Sequence, residues 1–326
     1  MSADSRKKAK QLAQMIDAAD SIAIIGHIHP DGDCMGSNLA MYNYIIDNYK
    51  GKTVDVYDES FSTTFKIMSG YRRVKHEPTD KRYDLAIALD VSDEERLGKF
   101  QDIFNSAIST AIVDHHISNK GFGDLCYIVP TASSACEALC DLIDLDKVSQ
   151  KTATCLYLGI VHDSGVFKYP NTSRNTMEVA GLLLDKGVDA ISVIDDTFYK
   201  KTYKQNRLMG QVIVNSQLYA EGKIVSGQIT RELFKEFKCT TMDTEGIVEQ
   251  LRLTDGVEVA ILGYQKTKKQ YKFSLRSKTV VDVSKVASMF GGGGHVRAAG
   301  FETTEDYDKV FAELIEILTK EINEAK

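Results

Sequence analysis

Short apolar runs alternate with longer amphipathic stretches through the first two thirds of the chain. SIAIIGH (21–27), TVDVYD (53–58), DLAIALDV (84–91) and TAIVDHH (110–116) are rich in Ile, Val, Ala and Leu. Their length, about four to eight residues, is that of buried strands. Helical patterns such as 34–48 fall between some of them, so the N-terminal half reads as βαβ units around a mainly parallel sheet flanked by helices, an α/β fold. In such a sheet ligands gather at the carboxyl ends of the strands. From 198 to 217 the sequence FYKKTYKQNRLMGQVIVNSQ is polar and helical, which suits a connecting helix better than a flexible linker. A pattern on a smaller scale follows: KIVSGQIT, a helical stretch, VEVAILGY, YKFSLRS, a short helix ending at Phe290, a glycine run, AAGFE and a long final helix. The chain is thus expected to hold a first domain over 1–197, a helical linker over 198–217 and a second, smaller α/β domain over 218–326, with a cleft between the two.

Composition narrows this picture. A length of 326 residues favours two domains, and 43% hydrophobic with 26% charged residues excludes disorder and fibrous folds. The first twenty residues are polar and helix-forming, and no apolar run nears the roughly 20 residues needed to cross a bilayer. A soluble, cytoplasmic protein without membrane association is expected. The six cysteines, at 34, 126, 136, 140, 155 and 239, form no C-x-x-C pair and are expected to be reduced. Cys136 and Cys140 share a helix face by spacing, but two thiols without a nearby histidine more often pack than bind zinc. The formal charge of −6 argues against a protein that coats long duplex DNA. A small anionic substrate remains open where positive charge is local.

Four separate element ends carry acids or imidazoles. Ile25-Gly26-His27-Ile28-His29-Pro30-Asp31-Gly32-Asp33 leaves a strand and turns through Pro30 and Gly32, placing His27, Asp31 and Asp33 in one loop. A second strand ends in Leu89-Asp90, a third in Asp114-His115-His116, and a helical stretch delivers His162-Asp163-Ser164-Gly165. A single Asp at a strand end is more often a cap or turn residue than a ligand. The force of the set lies in its convergence on one sheet edge. Asp31, Asp33, Asp90 and Asp163 brought together would repel one another and take up protons unless two divalent cations offset their charge. Carboxylates with a few imidazoles form a hard O/N site suited to Mn²⁺. A metal pair about 3.5–4 Å apart serves phosphoryl displacement, so phosphate ester hydrolysis is the expected reaction class.

The ordered set H-x-x-x-D-x-D, L-D, D-H-H and D-S-G resembles the DHH phosphoesterase family. The tail SLRSK followed by VDVSKVASMFGGGGHVRAAG resembles its DHH-associated substrate domain. The motifs together span nearly the whole chain, and their combination resembles the nanoRNase and pAp-phosphatase branch. The resemblance implies that His27, Asp31 and Asp90 hold one ion and that Asp33, Asp90, His115 and Asp163 hold the other, with Asp90 bridging. It implies that Asp114 orients an imidazole and that His116 faces the substrate, steadying charge on the phosphoryl group or protonating the leaving oxygen. His29 matches no ligand position and is read as a loop residue. His162 stands where the family commonly has a hydroxyl residue; an extra ligand, a partner behind the ligands and a packing residue are the readings, the last two favoured. Four glycines before His295 free the backbone to approach an anion, although a glycine run alone is more often a plain turn. By resemblance, Arg276, Ser277, Gly292, Gly293, Gly294 and His295 would hold the nucleotide, the arginine fork gripping a phosphate.

Other residues stay undecided at this level. Lys266, Lys268, Lys269 and Lys272 form a solvated hairpin tip or a phosphate clamp. Arg96 is a substrate contact or a surface ion pair, and Phe167 and Tyr169 are base-stacking residues or core. The expected function is exo-acting, metal-dependent hydrolysis of short oligoribonucleotides or linear dinucleotides such as pApA to mononucleotides, with removal of the 3′ phosphate of pAp by the same site. Alternatives are a cyclic-dinucleotide phosphodiesterase, an inorganic pyrophosphatase, against which SLRS and GGGGH speak, and a non-catalytic nucleotide- or RNA-binding module, against which the filled ligand positions speak. The oligomeric state stays open, a homodimer included.

Overall fold

The four apolar runs of the N-terminal half are strands of one six-stranded sheet in the computed structural model, which describes residues 2–59 and 61–324. The strands are β1 (Ser21–Ile25), β2 (Thr53–Tyr57), β3 (Val74–Lys75), β4 (Leu85–Leu89), β5 (Ser109–Asp114) and β6 (Leu125–Ile128). They lie in the order β3-β2-β1-β4-β5-β6, every neighbour parallel. Edge strands β3 and β6 lie outside the sequence reading, being short and only partly buried. The helices of this unit, Met1–Lys200, are α1 (Ala3–Ala18), α2 (Gly32–Asn48), α3 (Gln101–Asn105), α4 (Ala135–Cys140), α5 (Gln150–Asp163), α6 (Arg174–Asp185) and α7 (Ala190–Ile194).

Side chains alternate across the sheet. Ile22 and Ile24 of β1 with Leu85, Ile87 and Leu89 of β4 enter a core with Met35 and Leu39 of α2, Leu139 of α4 and Leu156 of α5. Ala23, Ile25, Ala86 and Ala88 face the other side, against Leu97, Phe100 and Phe104. Both faces are covered, which is why these strands read as unbroken apolar runs rather than as alternating ones. Helices α2 and α5 pack closely because Gly36 lacks a side chain: a Cβ there would lie 2.7 Å from the Cys155 carbonyl oxygen. The strand order reverses between β1 and β4, and a crevice opens beyond their carboxyl ends at such a reversal.

The second unit, Lys201–Lys326, is built on β7 (Gln217–Tyr219), β8 (Ile224–Ile229), β9 (Val259–Thr267), β10 (Gln270–Ser277), β11 (Gly293–His295) and β12 (Ala298–Thr303). Their order is β11-β12-β10-β9-β8-β7, antiparallel except for β8 with β9. The helices are α8 (Tyr203–Val214), α9 (Arg231–Glu236), α10 (Ile247–Arg252), α11 (Val283–Met289) and α12 (Tyr307–Glu324). On one face Val310, Leu314, Leu318 and Ile322, spaced by four residues along α12, pack on Ile261, Phe273 and Leu275. On the other, Leu208 and Val212 of α8 pack with Ile247 and Leu251. The stretch read as a connecting helix therefore divides: α8 is part of the second core, whereas Phe198 and Tyr199 precede the boundary. Part of the glycine run is not loop but edge strand β11, paired with β12. Among the described residues no helix is long and apolar enough to cross a membrane.

Candidate active site

Beyond β1 the chain runs close past β2 at Gly26, where a Cβ would overlap the Asp58 carboxylate, and His27 follows, 5% exposed, before the chain bends at Ile28 and His29. Its Nδ1 lies 2.7 Å from the Ile28 carbonyl oxygen, which directs Nε2 toward Asp90 Oδ2 at 3.5 Å and Asp31 Oδ1 at 3.9 Å. Asp31 caps α2, its Oδ1 accepting from the backbone N–H of Asp33 at 3.0 Å and of Cys34 at 3.1 Å. Asp33 is fully buried and accepts from the Ala135 and Cys136 amides of α4 at 2.6 and 3.0 Å. Asp90 follows β4 at φ +61°, a left-handed pose that Asp tolerates better than most residues. Strand β5 leads into His115, whose Nε2 lies 3.2 Å from Asp163 Oδ2, 3.6 Å from Asp90 Oδ1 and 3.9 Å from Asp33 Oδ2. His116 Nδ1 stands 2.8 Å from Asp114 Oδ1 and 3.7 Å from Asp90 Oδ1. Asn119 donates to Asp114 Oδ2 at 2.7 Å and to the Val91 carbonyl at 2.9 Å, fixing that carboxylate.

This concentration of acid is costly without a cation. Burial, reinforced by the neighbouring aspartates, raises the carboxyls of Asp33 and Asp90, and pushes Asp163 up to about 9. Burial lowers His27, favouring the neutral imidazole that a metal requires. Asp90 Oδ1 is buried without a hydrogen-bond partner. An orphaned buried acceptor costs about 1–3 kcal/mol, more when charged, so this oxygen fits a metal ligand. Ligating atoms of His27, Asp31 and Asp90, of Asp33, His115 and Asp163, and of Asp90, His115 and His116 lie within 4.8 Å of one another in each set. Asp90 presents Oδ2 to His27 and Oδ1 to His115, so one carboxylate reaches both imidazoles. Burial opposes ionisation of Asp114, but hydrogen bonds from His116 and Asn119 outweigh it and hold the carboxyl low. The same bond raises His116, favouring the imidazolium.

His162 is a packing residue: its ring lies 5.3 Å from Phe65 and 5.5 Å from Phe198, and its Nε2 bonds Thr197 Oγ1 at 2.9 Å. Burial drops it to about 4, so it is neutral. His29 is an exposed loop residue at φ +58°. Phe167 packs 6.0 Å from Tyr157, and Tyr169 is 43% exposed. Cys136 and Cys140 are buried free thiols, raised by burial. In the second unit Arg276 closes β10 with Nη1 on the Leu275 carbonyl at 3.0 Å, while buried Ser277 donates to the Val281 carbonyl at 2.7 Å and ties down the following loop. Gly292 and Gly294, the latter at φ +143°, lie against β12 where side chains would collide; Gly293 borders open space and His295 is exposed. Lys266 pairs with Glu302 at 2.7 Å. Asn119, Asp58 and the placement of Arg96 were missed by the sequence reading; for Asn119 the only signal was an amide three residues past the D-H-H triplet.

The profile of the DHH family, N-terminal domain, matches residues 21–160, and that of the DHHA1 domain matches residues 221–324. The chain is 31% identical over 322 residues to a probable bifunctional oligoribonuclease and PAP phosphatase NrnA of Streptococcus mutans, spanning 95% of this chain and 98% of that one. It is 27% identical over 327 residues to the bifunctional oligoribonuclease and PAP phosphatase NrnA of Thermus thermophilus, spanning 98% and 96%. The crystal structure of an exopolyphosphatase-related protein from Bacteroides fragilis matches with a TM-score of 0.87 and 25% identity over 97% of each chain. With both domains in order and relatives matched over nearly their full length, the chain belongs to the DHH phosphoesterase family, on its NrnA branch.

Proposed function

We propose that this phosphoesterase hydrolyses short oligoribonucleotides and linear dinucleotides such as pApA to mononucleotides, and removes the 3′ phosphate of pAp at the same site. The observation that carries the reading is the disposition of Asp90, one buried carboxylate reaching His27 with one oxygen and His115 with the other. His27, Asp31 and Asp90 would hold one Mn²⁺, and Asp33, Asp90, His115 and Asp163 the second. Bound there, the pair would supply a nucleophilic water and neutralise phosphoryl charge. His116, whose protonated form the Asp114 hydrogen bond favours, would donate to the leaving oxygen or steady developing charge. Arg276, the backbone of Gly292, Gly293 and Gly294, and His295 would hold a terminal phosphate, with Ser277 bracing the strand end. The activities named for the two NrnA relatives support this choice. The free thiols accord with the cytoplasm, the net charge disfavours long duplex DNA, and a homodimer is compatible with the reading.

The test is hydrolysis of pApA, pAp and a five-residue RNA, side by side, in Mn²⁺ and in excess chelator, with AMP and phosphate both quantified. Mn²⁺-dependent AMP from pApA and RNA, with phosphate from pAp, is expected. No metal-dependent product from any of the three would refute the reading.

A further inference from the structure

Arg96 lies on the short helical turn Glu94–Phe100 that follows β4. Two contacts dock this turn on the loop after β1. The Ile28 N–H donates to the Arg96 carbonyl at 2.8 Å. Gly98, at φ +54°, approaches so closely that a Cβ there would lie 2.5 Å from Ile28 Cγ2. The side chain is thereby delivered to the metal-ligand cluster. Its Nη2 stands 3.1 Å from His27 Nδ1, and its positive charge is felt by both His27 and His116.

Among the described residues the guanidinium makes no ion pair with a carboxylate. Two acidic neighbours in sequence are engaged elsewhere: Asp93 accepts from the Arg96 N–H and the Ser92 hydroxyl, and Glu94 from Gln101 and Asn105. Arg96 Nε is buried and has no hydrogen-bond partner. The contact to His27 does not survive ligation. Nδ1 also lies 2.7 Å from the Ile28 carbonyl, and an imidazole that ligates through Nε2 must carry its proton on Nδ1. That proton goes to Ile28, and Nη2 loses its acceptor. Two donors of one planar fork are then left unreceived by the protein beside the reacting centre, a situation buried polar groups rarely tolerate. The fork matches two oxygens of a phosphate.

We infer that Arg96 grips non-bridging oxygens of the scissile phosphoryl group and is a catalytic residue alongside His116. The inference rests on the phosphoesterase reading above and is separate from the grip assigned to Arg276. Arg96→Gln removes the charge, and Arg96→Lys keeps charge without the fork. Both would be compared with wild type for Mn²⁺ affinity by calorimetry, for binding of inorganic phosphate to the metal-loaded protein, and for kcat and KM on pApA. Mn²⁺ affinity should stay within about threefold while phosphate binds more weakly and kcat falls about 10²–10³-fold, with Lys restoring only part. Metal affinity falling in step with kcat would make Arg96 a support for His27 and overturn the inference, as would wild-type phosphate binding and turnover. Were wild type inert toward pApA, the substrate reading would fall, and the phosphate titration alone would still decide the role of Arg96.

Discussion

Asp90→Asn probes the metal centre without an activity assay. At φ +61° position 90 is left-handed, a pose that Asn accepts as readily as Asp. The exchange therefore removes charge and leaves the backbone in place. In metal-free protein the buried Asp90 carboxyl is raised by burial and by the Asp33, Asp31 and Asp163 charges, so losing it relieves repulsion and should not lower stability. Metal-loaded protein should behave oppositely. Free Mn²⁺ at about a hundred times Kd stabilises by about 2.7 kcal/mol for each site, so about 5 kcal/mol for two. At about 2–4 °C per kcal/mol for a unit of this size, wild type should melt about 10–20 °C higher with Mn²⁺ than with chelator. Loss of the shared carboxylate should weaken both sites by about a hundredfold or more, comparable to the upper end for even an indirect metal partner. The same Mn²⁺ concentration then yields about 0.4 kcal/mol per site, a rise of about 3 °C or less. Thermal melts of the full chain, with and without chelator, read both quantities. A metal-free variant that melts many degrees below metal-free wild type, yet keeps the full Mn²⁺ shift, would refute the assignment and make Asp90 a purely structural residue.

Asp58, fully buried against Asn38 and pushed up to about 8 by burial, holds a proton in the folded state that the unfolded chain sheds near pH 4. Its contribution to stability is complete below about pH 4 and is lost as pH rises toward 8, by about 1–3 kcal/mol between pH 6 and 8. Asp58→Asn should flatten that part of the curve in denaturant titrations; an unchanged slope would place the proton elsewhere. His162→Phe keeps the ring between Phe65 and Phe198 and gives up the bond to Thr197, so a loss of about 1 kcal/mol with unchanged Mn²⁺ affinity is expected. A more than tenfold loss of Mn²⁺ affinity would make His162 a ligand. Arg276→Ala should mainly raise KM on pApA if the arginine holds ground and transition states alike, and a fall in kcat alone would move it into the chemistry.

What the sequence disclosed follows from where physical constraint is local. Strands β1, β4 and β5 are buried on both faces, and continuous apolar runs mark such strands without knowledge of their partners. Edge strand β3 is only Val74-Lys75, too short to show a pattern, whereas β6 lies in an apolar run, Leu125–Val129, that the same strand criterion admits and the sequence reading passed over. The α2 start was nearly legible because Asp31 caps it from within the same loop. Likewise His27, Asp90 and His115 stand just past strand ends and Asp31 and Asp33 open the helix that follows β1, so their convergence follows once the strands are parallel and adjacent.

Arg96 and His162 resist this logic because partners distant in sequence decide their roles. Thr197, Phe198 and Phe65 enclose His162, and a reading confined to His162-Asp163-Ser164-Gly165 cannot separate a ligand from a packed ring. For Arg96 the local sequence points the wrong way: beside Asp93, Glu94 and Glu95 a surface ion pair is the simple expectation. In the fold Asp93 closes its own turn and Glu94 is taken by Gln101 and Asn105. Docking of Gly98 against Ile28 then turns the side chain toward His27. What distinguishes Arg96 is therefore the geometry of its fork, with Nε buried and unpartnered and Nη2 beside His27, a feature that only the folded chain displays.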